Sequence, residues 1–270
     1  MFTTIVTDCK GENETGRQIS RFNSLGLGPT NLIGVDSGLS ANATIEAAGN
    51  LIDVLDATEG KKGVIVVNVA PRGNKKDGEN GTRFCYFYYK KTLVIATIGG
   101  YTLSFVKSFG ITKKINLVDT KEVLSLAISK KLISNDLAEY IARSQFRSFD
   151  FAPRLAKWLI DEIKIPSKDS SLNPYSSVPN CIWHTDSFGN AKTTILTQDI
   201  KLKTIDKVKT NIGTFKFYER LKDIPDGETA IYTGSSGLGD KRFLEIATQN
   251  REGSAAKTLN LKVGKEIKFM

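Results

Sequence analysis

The sequence contains few of the residues that build disulfide frameworks and metal centres. Its 270 residues include three cysteines, one histidine and two tryptophans. Cys9, Cys85 and Cys181 lie far apart in the sequence and have neither the spacing of a disulfide scaffold nor that of a zinc site. His184 lies in a strand-like segment, where a lone histidine is most often a strand residue with a satisfied ring rather than a ligand or a base. These absences favour a protein of a reducing compartment over a secreted protein.

Long apolar runs are also absent from the chain. No segment approaches the roughly 20 residues of a membrane-spanning helix. The N-terminus enters a strand-like pattern without the features of a signal peptide. We therefore expect no membrane partner and a cytoplasmic location.

The charge is strongly positive but dispersed. A formal net charge of +9 accompanies five lysine doublets scattered along the sequence. Nucleic-acid surfaces need basic residues clustered on one face, usually with exposed aromatic residues among them. Neither pattern occurs here, so the charge indicates a solvated surface, and we expect no nucleic-acid partner.

The periodicity of apolar residues divides the chain into two parts. In residues 1–165, short apolar runs alternate with helical patterns, which predicts a layered α/β domain with a largely parallel sheet. Residues 166–178 are polar and rich in helix breakers, so they resemble a linker. Residues 179–270 contain short strands at close spacing and no helical period. They predict a small antiparallel β-barrel, or a sandwich.

One segment combines three side chains suited to binding a small molecule. Residues 181–195 contain two strand-like runs, and the turn-forming residues 188–190 lie between them. Asp186, Phe188 and Asn190 would gather at the bend of this hairpin. A carboxylate, an aromatic ring and an amide together can hold a cation beside a heterocycle. A purely structural interpretation is also open, in which Phe188 is hairpin core and Asn190 only fills the turn.

This segment resembles the signature Asp-x-Phe-Gly-Asn-x-x-Thr-Asn-Ile of the S-adenosyl-L-methionine hydroxide adenosyltransferases. These proteins are relatives of the fluorinating and chlorinating enzymes that cleave the same substrate. Six of the seven defined positions match at the same spacing, and Thr194 replaces the second Asn.

Other segments resemble the same family in the same order along the chain. Residues 5–8 and 63–68 are similar to two strands of its N-terminal domain, and residues 149–159 are similar to its Phe-Ala-Pro helix. Residues 234–237, 244–247 and 253–256 are similar to its closing pattern. The family's architecture, a larger α/β domain followed by a small β-barrel, agrees with the division that periodicity predicts.

The resemblance implies a reaction and a set of binding residues. The reaction is cleavage of S-adenosyl-L-methionine at the ribose C5′ by water or hydroxide, giving adenosine and L-methionine without a cofactor. The residues carried over are Asp8 for the ribose hydroxyls, Asp186 for the methionine ammonium, Phe188 and Asn190 for the adenine, and Ser236 for the methionine carboxylate. Asp8 could instead cap the following helix. The resemblance also implies a homotrimer.

The sequence departs from the family where the nucleophile is activated. Asn68 stands at the position of an Asp, and the family's His is absent. The family's Arg corresponds to Arg72, or to Arg83 if an insertion lies between them. Without a gap the His position falls on Phe146, whereas a one-residue deletion aligns it with Arg147 and places Ser148 at the next position. We take Asn68, Arg83, Arg147 and Ser148 as candidate catalytic residues.

Three functions remain open from the sequence alone. The chain could hydrolyse S-adenosyl-L-methionine with an altered water-activating site. It could bind S-adenosyl-L-methionine or adenosine without turnover. It could also transfer the adenosyl group to another nucleophile such as halide, which needs desolvation rather than deprotonation.

Overall fold

The structure, a computed structural model, describes residues 1–36, 42–69, 82–172, 175, 177–249 and 254–270. The chain divides into two compact units, Met1–Ser176 and Ser177–Met270. The described residues are consistent with a mixed α/β protein that has two separate sheets. Within those residues, no helix has the length and apolar character needed to cross a membrane.

The first unit contains a seven-stranded sheet in the order β2-β1-β3-β5-β4-β6-β7. Its strands are β1 (Phe2–Thr7), β2 (Thr30–Gly34), β3 (Gly63–Asn68), β4 (Phe84–Tyr89), β5 (Thr92–Thr97), β6 (Lys114–Val118) and β7 (Lys168–Ser171). Its helices are α1 (Glu12–Ser24), α2 (Asn42–Thr58), α3 (Ser104–Ser108), α4 (Thr120–Ser129), α5 (Asn135–Arg143), α6 (Arg147–Asp150) and α7 (Ala152–Ile160).

Helices cover both faces of the central strands. Every residue of β3 and β5 is buried, as expected for strands that are apolar on both faces. One face packs against α1, α4, α5 and α7, whose core residues include Phe22, Val123, Ile141 and Leu155. α2 also packs against β1 and β3.

The prediction of a largely parallel sheet holds for only half of it. β2, β1, β3 and β5 are parallel to their neighbours, whereas the pairs β5–β4, β4–β6 and β6–β7 are antiparallel. The reversal between β5 and β4 has a local cause, because the two strands are joined by the two residues Lys90 and Lys91. Lys90 adopts a positive φ of 52°. A connection this short forms only an antiparallel hairpin.

β7 lies within the segment whose composition suggests a linker. Its residues are polar and largely exposed, and they pair with β6 from Leu117↔Lys168 to Lys114↔Ser171. A short, polar edge strand resists pairing with other chains, and it carries no apolar alternation that would mark it in the sequence.

The second unit contains a six-stranded sheet in the order β10-β11-β12-β13-β9-β8. The strands are β8 (Ile182–Thr185), β9 (Ala191–Leu196), β10 (Lys207–Thr210), β11 (Gly213–Tyr218), β12 (Thr229–Leu238) and β13 (Lys241–Thr248), and a short helix α8 (Ala255–Thr258) follows. β11 and β12 are parallel, which departs from the predicted antiparallel arrangement. Their connection contains a 3-10 turn at Leu221–Asp223 and returns the chain to the starting end of β11.

The C-terminal residues of the chain bind both edges of this sheet. Beside β8, the Ile182 N–H donates to the Lys265 carbonyl at 2.9 Å. Beside β10, the Met270 N–H donates to the Lys209 carbonyl at 2.9 Å. The order of the named strands is open, with β10 and β8 at its two edges. The last residues of the chain form hydrogen bonds beside both of these edge strands.

Candidate functional site

The first group of candidate residues lies where the parallel strands of the first unit end. Thr7, the last residue of β1, pairs with Gly34 of β2 on one side and with Asn68 of β3 on the other. The strand that follows β1 in sequence, β2, therefore lies on one side of it in the sheet, and the next strand, β3, lies on the other. In open α/β sheets, such a switch in strand order forms a crevice at the carboxyl ends, where ligands bind.

Asp8 and Asn68 occupy neighbouring strand ends at this switch. Asp8 is half-buried and directly follows Thr7, and the Asn68 side chain is buried. The N-cap of α1 is Gly11, without a side-chain capping bond, so the interpretation of Asp8 as a helix cap is wrong. Cys9 lies next to Asp8, with its Sγ 3.8 Å from Asp8 Oδ1.

Arg147 and Arg83 lie near the same edge of the sheet. Phe84 of β4 pairs with Thr97, the last residue of β5, so the residues before Phe84 reach the carboxyl end of β5. Arg83 is exposed there. The Arg147 guanidinium donates to the Thr82 carbonyl at 2.7 Å and lies 4.9 Å from the centre of the Phe84 ring. Burial lowers the pKa of Arg147.

Ser148, the next residue of α6, is completely buried. Its hydroxyl has no hydrogen-bond partner within the part of the chain that the structure describes. A buried hydroxyl without a partner is costly, and such groups often mark functional sites. Arg72, the alternative to Arg83, lies outside the described residues.

The second group is built on the turn between β8 and β9. The Asp186 carboxylate accepts the backbone N–H groups of Phe188 and Asn190, both at 2.9 Å, and the Asn190 side-chain amide at 3.0 Å. The Asp186 N–H donates to the Asn190 carbonyl at 3.0 Å. Asp186 thus organises the whole turn, and Asn190 fills the structural role expected of a turn residue.

Gly189 fastens this turn to the start of α8. Its carbonyl accepts the Ala256 N–H at 3.0 Å, and its φ of 80° favours glycine. A Cβ on Gly189 would lie 2.0 Å from Ser254 Cβ, so only glycine permits this approach. The contact joins the turn to Ser254 and Ala256, two residues of the closing pattern in the sequence.

Phe188 projects from this organised turn into solvent. Its side chain is 81% exposed, so the hairpin-core interpretation is wrong. The backbone bonds of the turn hold the ring in place without covering it. An aromatic ring presented in this way, beside a carboxylate and an amide, is suited to stacking on a heterocycle.

Ser236 lies in an irregular part of β12. The pairing of β12 with β13 shifts between Thr233, opposite Leu244, and Gly237, opposite Arg242. Ser236 falls within this bulge and is buried. Bulges of this kind re-aim backbone and side chains and are frequent at functional sites.

Sequence reasoning missed Glu245, which lies between the turn and the bulge. It is 4% exposed, and its Oε2 accepts the Tyr232 hydroxyl at 2.6 Å. Lys192 of β9 is its register partner on the other side. Burial raises the pKa of Glu245, against the opposing effects of Tyr232 and Lys192. A glutamate in the apolar run of β13 is the sequence signal that could have identified it.

Neither group contains a metal-binding cluster. Among the residues described, no three His, Cys, Asp or Glu side chains come together in a way that could hold an ion. What the two groups offer is hydrogen-bond acceptors, amides, guanidinium groups and an exposed ring. Such groups bind and orient a polar organic molecule.

Comparison with known proteins finds a family model that matches most of the second unit. Residues 180–268 match the family model of the SAM hydroxide adenosyltransferase C-terminal domain, where SAM is S-adenosyl-L-methionine. This match confirms the resemblance identified from the sequence. No curated protein matches the sequence significantly.

Two crystal structures share the fold over the whole chain. An uncharacterized conserved protein from Thermotoga maritima aligns with a TM-score of 0.67 and 17% identity, covering 100% of both chains. A conserved hypothetical protein from Thermus thermophilus aligns with a TM-score of 0.56 and 14% identity, covering 100% of this chain and 99% of the other. At these identities, the likeness concerns the fold alone.

Proposed function

We propose, since residues 180–268 match the family model of the SAM hydroxide adenosyltransferase C-terminal domain, that this chain binds S-adenosyl-L-methionine and cleaves it at the ribose C5′ with water. The observation that carries the proposal is the turn at Asp186, which combines a carboxylate, an exposed ring and an amide on one rigid support. The products are adenosine and L-methionine.

In the second unit, each side chain of the turn has a role matched to its chemistry. The Asp186 carboxylate binds the methionine ammonium through a charge-assisted contact. Phe188 packs on the adenine ring, and Asn190 pairs with the adenine edge. Ser236 binds the methionine carboxylate.

In the first unit, the strand ends hold the ribose and the nucleophile. Asp8 accepts the ribose hydroxyls at the switch between β1 and β3. Asn68, Arg83, Arg147 and Ser148 position a water molecule. That water attacks C5′ as the bond from C5′ to sulfur breaks, the electron pair passes to sulfur, and a proton is released to solvent.

In this scheme, most of the rate enhancement of hydrolysis must come from positioning the water molecule. Asn68 cannot accept a proton as a carboxylate does, and no histidine stands at the corresponding position of the sequence. Loss of a general base typically costs about 10²–10⁴-fold in rate. The sulfonium is a good leaving group, so correct alignment of a poorly solvated water still permits slow hydrolysis.

Binding without turnover is the second candidate function. Asn68 in place of a carboxylate favours it, because the substrate-binding turn is intact while the base is missing. Transfer of the adenosyl group to halide is a third outcome that the same experiment detects. No cofactor takes part in any of these functions.

Chromatography of reaction mixtures distinguishes the three outcomes. Purified protein is incubated with S-adenosyl-L-methionine, with and without chloride, and adenosine, 5′-chloroadenosine and methionine are measured. We expect adenosine and methionine in equal amounts above the no-protein control. Chloroadenosine would establish halide transfer, and binding with neither product would establish the binding protein.

A double variant tests the assignment of the nucleophile-activating residues. Asn68→Asp with Arg147→His restores the family's carboxylate and imidazole. We expect faster hydrolysis, and a faster rate at higher pH as the imidazole loses its proton. A variant that binds substrate yet remains as inactive as the parent would contradict the alignment of residues 145–151.

We also propose that the second unit is a small barrel and that the chain is a homotrimer. Hydrogen bonds from the C-terminal residues to both edge strands support the barrel. The trimer is supported by the family resemblance alone. Light scattering of the intact chain should give three times the mass of 29.7 kDa, and a monomer that binds ligand would contradict the trimer.

A further inference from the structure

The Glu245 side chain connects the two parts of the second unit that carry candidate binding residues. Glu245 pairs with Lys192, which follows the Asp186 turn by a short stretch of β9. On the opposite side it pairs with Tyr232, which precedes the bulge containing Ser236. Asp186 is close enough to influence the pKa values of both Tyr232 and Glu245.

The bulge is built around this carboxyl group. A Cβ on Gly234 would lie 2.2 Å from Glu245 Oε1, so the backbone of the bulge lies directly on the Glu245 side chain. The Ser236 backbone is also close enough to lower the pKa of this carboxyl group. Together with the Tyr232 hydroxyl, these contacts fix the path of residues 234–236.

The hydrogen bonding of the buried Glu245 carboxyl group is incomplete. Its Oε1 has no hydrogen-bond partner among the described residues, although the residue is only 4% exposed. A buried carboxylate without a full set of donors is costly, whereas the protonated form is less costly and still accepts through its other oxygen. Burial favours the protonated form in the same direction.

We propose that Glu245 is a positioning residue that, with Tyr232, holds the Gly234–Gly237 segment in the shape in which Ser236 binds the methionine carboxylate. It touches neither the substrate nor the reacting atoms. The proposal deepens the proposed function and rests on it for the role of Ser236.

The chain provides a matched control for this tyrosine–glutamate pair. In the same unit, the Tyr218 hydroxyl donates to Glu228 Oε1 at 3.1 Å, and Lys216 Nζ lies 3.1 Å from Glu228 Oε2. This second pair likewise joins a tyrosine, a glutamate and a lysine, but its three residues lie outside the bulge between Thr233 and Gly237. Glu228→Ala therefore controls for the loss of such a pair in general.

The test measures the conformation of residues 234–237 and the affinity for ligands separately. Backbone amide resonances of Gly234–Gly237 are compared by NMR in the wild type, Glu245→Gln, Glu245→Ala, Tyr232→Phe and Glu228→Ala. L-Methionine and adenosine are then titrated into each protein. Glutamine keeps the acceptor oxygen and neutrality of a protonated glutamate, so it should preserve the shape of the segment.

We expect Glu245→Ala and Tyr232→Phe to shift the four amide resonances and to weaken L-methionine binding, by about tenfold for the alanine variant. Adenosine binding should change by less than about twofold, because adenosine lacks the carboxylate. Glu245→Gln and Glu228→Ala should resemble the wild type in both measurements. A purely structural role would weaken both ligands together and would not be rescued by glutamine.

Two results would overturn the proposal. One is unchanged amide resonances in folded Glu245→Ala or, if that variant does not fold, in Tyr232→Phe. The other is an equal loss of L-methionine and adenosine binding. If even the wild type binds neither ligand, the proposed function fails, while the amide resonances still decide whether Glu245 holds the segment.

Discussion

Thr7 and Asn68 are register partners at the carboxyl ends of β1 and β3, and their pairing places Asp8 at the strand end next to Asn68. β2 lies on the other side of β1, so this pair marks the switch in strand order. In open α/β sheets, ligands bind in a crevice outside the carboxyl ends of the strands at such a switch. Cys9, beside Asp8, provides a chemical reporter for that crevice.

Cys9 should be the reactive cysteine of the described chain. It is half-buried, whereas burial raises the pKa of Cys85 to about 12 and that of Cys181 to about 11. The thiolate is the reactive form, so the two buried thiols should react slowly at pH 8. Iodoacetamide labelling followed by peptide mass spectrometry should find Cys9 modified first, and S-adenosyl-L-methionine should slow its modification. Equal rates at all three positions would contradict the prediction.

Gly189→Ala should destabilise the second unit more than Gly239→Ala. Both glycines have positive φ, 80° and 63°, so both variants incur roughly 1–2 kcal/mol of backbone strain. Only Gly189 lies against Ser254, and overpacking there should add about 1–3 kcal/mol. Urea unfolding of the two variants measures the difference. Equal losses would mean that the turn is not fastened to α8.

The unfolding free energy of the wild type should fall relative to Glu245→Gln as pH rises. Burial raises the pKa of Glu245 in the folded state above its ordinary value of 4.5, so the folded state retains a proton that the unfolded state releases. The resulting stability is fully present below pH 4.5 and is lost as pH rises through the folded-state pKa. Paired denaturation curves from pH 4 to 8 measure this, and a constant difference would contradict it.

Phe188→Ala should weaken ligand binding without destabilising the fold. The ring is 81% exposed, so its removal should change the unfolding free energy by less than about 0.5 kcal/mol. Loss of stacking on adenine should cost about 1–3 kcal/mol of binding free energy. Unfolding curves and adenosine titrations of the same samples separate the two effects. Unchanged adenosine affinity would remove Phe188 from the binding surface.

Local patterns predicted the elements of the fold better than the pairing between them. The buried run of β3 and the turn at Asp186 follow directly from residue type. The antiparallel β4–β5 hairpin turns at Lys90, which takes a positive φ that is uncommon for lysine. β7 was not predicted from the sequence, because an exposed edge strand needs no apolar alternation.

The candidate site shows the same division between local and distant information. The turn containing Asp186 and Asn190 was predictable because the bonds that the Asp186 side chain accepts lie within five residues. Glu245 was not, because its role depends on Tyr232 and on Gly234, which approach it only when β12 pairs with β13. Sequence spacing carries no information on which side chains meet across a sheet unless the register is known.

Calorimetric titration with S-adenosyl-L-methionine tests the central claim most directly, that the turn at Asp186 binds this molecule. The wild type is compared with the double variant Asp186→Ala, Asn190→Ala, and with Asp223→Ala, which removes a turn carboxylate bound by Arg220 in the same unit. We predict binding by the wild type and by Asp223→Ala, and a loss of about 2–4 kcal/mol in the double variant, because desolvated polar groups of the ligand lose their partners. Unchanged affinity in a folded double variant would contradict the account.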